Sequence, residues 1–245
     1  MVEELRAVID SDSTPRLVPL AADFSSLAEV EKLAESFINL QVGLDCILCA
    51  AGVATIPDRK ETADGFELQF GVNHLAHFRL VDLLLPTIRS SRGRVVLVST
   101  DRAGLKRAKF HFDDLQAERS YSMFGAYVRS KLANVLHAKE LHERECSHGV
   151  AAVSCTPGTV ADTGIARNLG PGMRWMFRYM GPGLFSRSVA EGGATLAHCM
   201  CVPDVVCGGY YENCHVVDNL EGSMADGALA KRLWEASIDL VSRAK

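Results

Sequence analysis

No stretch of the 245 residues reaches the roughly 18 consecutive apolar residues that a membrane-spanning helix needs. The opening MVEELRAVID has neither the positive charge nor the apolar centre of a secretory signal. Long basic runs are missing too, and a formal net charge of -4 gives no electrostatic footprint for a polyanion, so nucleic acid is not expected as a partner. There is no internal repeat, low-complexity tract or linker, and residues 1–245 read as a single domain. His198, Cys199, Cys201, Cys207, Cys214 and His215 contain no Cys-x-x-Cys pair, so no metal is expected there. What is present is 48% hydrophobic residues, enough for a sizeable core. Among eight cysteines, Cys46, Cys49 and Cys155 stand inside apolar strand-like runs, where a thiol behaves as a small buried hydrophobe. That usage fits a reducing, cytoplasmic compartment.

Along the chain, Val2, Leu5 and Val8 fall at helical spacing and predict a helix over residues 1 to 9. Arg16 to Ala22 reads as a short strand ending at Asp23, and Ser26-Leu27-Ala28-Glu29 as a capping box for a helix burying Leu27, Val30, Leu33 and Phe37. Leu44 to Ala50, Arg94 to Ser99 and Val150 to Ser154 are apolar almost throughout, as strands covered on both faces must be. Between them the pattern predicts a helix from about Phe66 to Arg89, and another carrying Tyr127 and Lys131 to about Glu145. Strands alternating with helices indicate a doubly wound α/β fold, a parallel sheet with helices on both faces. Ligands on such sheets bind at the carboxyl ends of the strands, where Asp23, Ala50 to Gly52, Ser99, Thr100 and Pro157 to Thr159 fall.

Tyr127 and Lys131, four apart on a helix, project from one face. An ordinary tyrosine keeps its proton to about pH 10, and a fixed positive charge beside it favours the phenolate and brings it towards neutrality. Such a phenol exchanges a proton with an alcohol or carbonyl oxygen. The same spacing also suits an amphipathic helix with an exposed lysine.

With these positions in view, the chain resembles the short-chain dehydrogenase/reductase family, and more narrowly its retinol dehydrogenase-like members, over nearly its whole length. The resemblance rests on Asp23-Phe24 after a strand, Cys49-Ala50-Ala51-Gly52 where the family writes Asn-Asn-Ala-Gly, Val72 to Phe78, Val98-Ser99-Thr100, Tyr127 to Lys131 and Pro157 to Val160. Gly209 to Cys214 and Arg232 to Trp234 resemble the end of the subgroup. It implies a Rossmann-like fold and hydride transfer between NADP(H), or alternatively NAD(H), and an alcohol or carbonyl group. Tyr127 would exchange the proton, and Lys131 would lower its pKa and hold the nicotinamide ribose. Asn73 would hold a water linking the lysine to solvent, and Thr100, with Ser99 as the alternative, would bind the substrate oxygen. Asp23 and Phe24 would contact the adenine, Ala50, Ala51 and Gly52 would let backbone approach the cofactor, and Pro157, Gly158, Thr159 and Val160 would border the nicotinamide amide. The family's pairing of its two long helices implies a homodimer.

The chain departs from the family pattern in several places. Thr100 replaces the usual second serine, and Cys49 and Ala50 replace the two asparagines, one of which normally ties the central strands together. Neither Gly-x3-Gly-x-Gly nor Gly-x-Gly-x-x-Gly, the turn that holds a pyrophosphate, occurs anywhere. The chain reads as starting on the family's second helix, without the first strand, the Gly-rich turn, the first helix and the second strand. That predicts a gap in the sheet beside the strand at Leu44 to Ala50, with weaker cofactor binding. The alternative is a catalytically silent member acting as an interaction or regulatory protein. Finally, residues 170–183 set an apolar, Met- and aromatic-rich segment between two Gly-Pro-Gly hinges. This reads as a lid over a lipophilic substrate, or as a helix packed on the core or resting on a membrane surface.

Overall fold

The three apolar runs become neighbouring parallel strands. In a computed structural model, which describes residues 17–160 and 187–244, β1 (Cys46–Cys49) pairs with β2 (Arg94–Val98), and β2 with β3 (Ala151–Cys155). β4 (Tyr210–Glu212) continues the parallel sheet and the short β5 (His215–Val216) turns back antiparallel, giving the order β1-β2-β3-β4-β5. Central β2 shows why its sequence after Arg94 is unbroken Val and Leu. Val95 and Leu97 enter the larger core, Val96 enters the core on the opposite face, and all three are fully buried. Cys46 and Cys49, three apart on β1, likewise point to opposite faces and cannot act as a pair.

The larger core is covered by a helix that runs without a break as α2 (Leu68–Phe70), a π-turn (Gly71–Leu75) and α3 (Ala76–Ser91), and by α5 (Met123–Glu145). A short α4 (Arg102–Leu105) follows β2. On the opposite face, α6 (Val189–Cys201) buries Cys199 against Val96, Val153 and Cys155. α1 (Leu27–Ile38) packs on α3, and the C-terminal α7 (Gly227–Arg243) packs on α5. Trp234 of α7 also reaches Phe78 of α3, with ring centroids 4.9 Å apart.

Two local expectations are corrected. Leu17–Ala22 carries no strand ladder, and Val18 and Leu20 are exposed. A strand exists only through a partner; none is present among the described residues, and Pro19 has no N–H to offer one. The outer edge of β1 is correspondingly unpaired among the described residues. The capping box at Ser26 is half formed: its hydroxyl accepts from the Glu29 N–H at 3.4 Å, but the Glu29 carboxylate turns to Lys32 at 2.8 Å. Leu27 and Val30 are buried in α1 together with Ala34, while Leu33 and Phe37 are only partly buried. The helix expected over residues 1 to 9 and segment 170–183 lie outside the described residues.

Candidate active site

Polar groups gather where the carboxyl ends of β1, β2 and β3 meet the first turns of α5. Ser122 opens α5 by accepting from the Gly125 N–H at 3.4 Å, and Ala126 at 1% exposure anchors its inner face. One turn on, the Lys131 ammonium enters the interior and donates to the Val98 carbonyl at 3.2 Å. Burial pulls its pKa down to about 8, partly opposed by the nearby Cys155 and Cys49 sulfurs. Cys49 is itself held as a neutral thiol, its pKa pushed up to about 12 by burial.

The Tyr127 phenol does not behave as the sequence suggested. Burial pushes its pKa up, Asp101 adds to the rise, and a hydrogen bond with the Thr100 side chain only partly offsets them. Lys131 is committed to the end of β2 instead of lowering the phenol's pKa. Thr100 therefore stands beside Tyr127. The Ser99 hydroxyl is 3% exposed and donates to the Lys131 carbonyl at 2.7 Å, so it serves the seating of α5 on β2. The Thr100 carbonyl accepts from the Tyr210 hydroxyl at 2.7 Å, which ties this loop to β4.

Asn73 sits fully buried in the π-turn, a distortion that concentrates at functional positions in helices. Its Oδ1 accepts from the Val53 N–H at 2.7 Å, and its Nδ2 donates to the Val53 carbonyl at 2.9 Å and to the Ser130 hydroxyl at 2.9 Å. Its main-chain carbonyl accepts from Asn134 Nδ2 at 3.0 Å and from His77 Nδ1 at 3.1 Å. Gly52 makes the arrangement possible, since a Cβ there would stand 2.8 Å from Asn73 Oδ1 and 3.5 Å from Lys131 Nζ. Ala50, Ala51 and Gly52 are exposed and leave the strand end open.

After β3, Pro157 to Val160 form the opposite wall. Thr156 and Thr159 hydroxyls donate to the two Asp101 carboxylate oxygens at 3.4 and 3.3 Å, joining this loop to the one after β2. Gly158 adopts φ 71°, and a Cβ there would lie 2.7 Å from Arg187 Nε. Asp23 stands apart from this cluster. Its carboxylate closes a turn by accepting from the Ser25 N–H at 2.8 Å and hydroxyl at 2.7 Å, bonds that lower its pKa. Phe24 packs on the His77 ring, centroids 5.1 Å apart.

The structure thus brings Gly52, Asn73, Thr100, Tyr127 and Lys131 into one network and leaves Asp23 and Phe24 outside it. Asn134, Ser130, Asp101 and Tyr210 belong to the network without having been singled out in the sequence. Asn134 carried a readable signal, as an amide within the apolar run Leu132 to Leu136. His74 and His77, which at i and i+3 could suggest a metal, are spent on Asn134 and Asn73. Among the described residues no group of three or more His, Cys, Asp or Glu is arranged to hold a metal ion.

Comparison with known proteins agrees with this geometry. A family model described as short chain dehydrogenase matches residues 1–112. Human retinol dehydrogenase 11 is 35% identical over 222 residues, covering 89% of this chain and 67% of that protein. Mouse retinol dehydrogenase 14 is 36% identical, covering 91% of this chain and 66% of that protein. The chain therefore spans about two thirds of the length of these relatives. Among solved structures, an uncharacterised protein from Mycobacterium paratuberculosis superposes with a TM-score of 0.67 at 28% identity, covering 90% of this chain and 74% of that one. The 3-alpha-hydroxysteroid dehydrogenase of a Pseudomonas species, complexed with NADH, shares the fold at a TM-score of 0.61 and 20% identity, with 77% and 79% of the two chains covered.

Proposed function

The chain belongs to the short-chain dehydrogenase/reductase family and to its retinol dehydrogenase-like subgroup, and from that premise we propose that it is an NAD(P)(H)-dependent oxidoreductase acting on the alcohol or carbonyl group of a lipophilic molecule. Retinoids, steroids and lipid aldehydes are the substrate types in view. The observation that carries this reading is the pairing of the Tyr127 and Thr100 hydroxyls one helical turn from a buried ammonium, at the carboxyl edge of a parallel sheet. The lipophilic substrate is supported by the names of the relatives and by the apolar sequence of residues 170–183.

Burial keeps the Tyr127 phenol protonated at neutral pH, so it acts as an acid in the reductive direction and gives its proton to the substrate oxygen. Thr100 holds the same oxygen through its hydroxyl. The buried Lys131 ammonium, seated on the Val98 carbonyl, would hold the nicotinamide ribose in place for that transfer. A bound nicotinamide dinucleotide supplies the hydride. The residues present suit its nicotinamide half: Ala50, Ala51 and Gly52 leave the end of β1 open, Tyr127 and Lys131 would hold ribose hydroxyls, and Pro157 to Val160 would border the amide. We take NADP(H) first, on subgroup resemblance, and NAD(H) second.

We read the assembly as a homodimer. α7 covers part of the α3 and α5 surface that the resemblance assigned to that contact, so the outer face of α7, where Ile238 is 46% exposed, is included in it. Light scattering that shows a single monomeric species would overturn this. All eight cysteines are free, which supports a reducing cytoplasmic setting, with surface contact to a membrane through residues 170–183. Among the described residues no helix is long and apolar enough to cross a membrane.

The test is a titration of the purified chain with NADPH and separately NADH, following nicotinamide fluorescence, and then a screen of retinoid and lipid carbonyls. Saturable binding with turnover that Tyr127→Phe removes is the expected result. A folded protein that binds neither nucleotide leaves the second reading, a silent member acting through partners.

A further inference from the structure

One amide outside the quoted motifs joins the seat of Lys131 to Asn73. Asn134 lies fully buried three residues after Lys131 on α5. Its Nδ2 carries two hydrogens, and both are used: one goes to the Val98 carbonyl at 2.9 Å and the other to the Asn73 carbonyl at 3.0 Å. Val98 is also where Lys131 Nζ donates, at 3.2 Å. Asn134 therefore shares its acceptor with the ammonium and joins it to the π-turn that carries Asn73. Its own orientation is fixed from behind. With Nδ2 given to two carbonyls, Oδ1 is left towards His74, whose Nδ1 lies 3.4 Å away. The other nitrogen of His74 faces the Ser237 hydroxyl of α7 at 2.9 Å.

We propose that Asn134 is the positioning residue of the candidate site, its amide clamping the strand-end carbonyl that seats Lys131 to the π-turn carbonyl of Asn73, with His74, backed by Ser237 of α7, behind the clamp. The role is not interchangeable with an apolar residue of similar size. A leucine would fill the volume but leave the Asn73 and Val98 carbonyls each with one donor fewer. The Val98 oxygen would then be free to interact fully with the ammonium, and the lysine tip would be free to move outward. Both changes favour the charged amine.

The proposal rests on the reading of Lys131 as the site's cation, and its test needs neither cofactor nor turnover. Lysine labelled with 13C at Cε is titrated by NMR in the parent chain and in Asn134→Leu, the Lys131 signal being assigned by its loss in Lys131→Met. The expected result is a Lys131 midpoint that rises by about one pH unit in the variant while the other lysines stay in place. Asn134→Ser, which keeps a single donor, should give a smaller rise and serves if the leucine variant fails to fold. An unchanged or lowered midpoint in a folded variant overturns the proposal, even if turnover is lost. A raised midpoint in a chain that binds no nucleotide supports the clamp and tells instead against the proposed activity.

Discussion

At the scale of single residues, the site separates the two groups that its motif joins. Tyr127 is a phenol held protonated by burial, with Thr100 as its partner, and Lys131 is a buried ammonium near its titration point. Reduction needs the first protonated and the second charged. Tyr127, raised from its ordinary value near 10, meets that condition throughout the neutral range, so Lys131 sets the alkaline limit. In carbonyl reduction kcat/KM should fall as pH rises past about 8, and a profile flat to pH 10 would remove Lys131 from the reaction. Tyr127→Phe deletes the proton donor without changing the packing of the ring. Turnover should drop about 10²- to 10⁴-fold with an unchanged circular dichroism spectrum, and retained turnover would move the acid elsewhere. Tyr127, Lys131, Asn73 and Thr100 were all legible from the order of their motifs. What each donates to was not. The alignment of Lys131 with the Val98 carbonyl, and of Ser99 with the Lys131 carbonyl, depends on how deeply α5 sits on β2, which no spacing along the chain records.

At the scale of elements, helices read well wherever an apolar face repeats, and the one distorted helix could be placed only by its structure. α2, the π-turn and α3 form a continuous rod whose single extra residue per turn falls at Gly71–Leu75. The distortion is held by Asn73 gripping the Val53 backbone, and that grip needs the empty space at Gly52. Gly52→Ala would drive a methyl to 2.8 Å from Asn73 Oδ1, which two bonds to Val53 keep from moving aside. Overpacking of this kind costs about 1–3 kcal/mol. A urea melt should show that loss, and parent-like stability would mean that the π-turn yields freely. Capping signals were uneven guides for a related reason. Ser26 kept only half of its box because Lys32 competes for Glu29, whereas Ser188 and Glu191, which drew no notice in the sequence, form both arms at the start of α6. The strand expected over Arg16 to Ala22 failed because strand formation is a property of a pair, and an apolar run carries no record of its partner.

At the scale of the whole molecule, the helical side buries three histidines, with α7 lying against His74 and His137 and Phe24 against His77. His74 and His77 belong to the distorted helix, and His137 to α5; their rings meet Phe78, Phe24 and Trp234. Neither ring nitrogen of His137 has a hydrogen-bond partner. Burial holds the pKa of His74 down to about 3, that of His77 to about 4, and that of His137 well below its ordinary value. The sign of the effect on folding follows directly. Above pH 6.5 folded and unfolded chains are both neutral at these positions, and the histidines give stability no pH dependence. Below it the unfolded chain takes up protons that the folded chain refuses, so stability falls as pH falls and goes on falling towards the folded pKa values. Each histidine contributes a slope approaching about 1.4 kcal/mol per pH unit in that window. Urea midpoints measured at pH 7, 6 and 5 should therefore drop steeply. His137→Leu removes one of the three protons taken up and leaves no buried imidazole unpaired, so its midpoints should match or exceed the parent's at pH 7 and fall less steeply below it. Equal slopes in the two proteins would place the acid sensitivity elsewhere and mean that α7 does not seal His137 from protons.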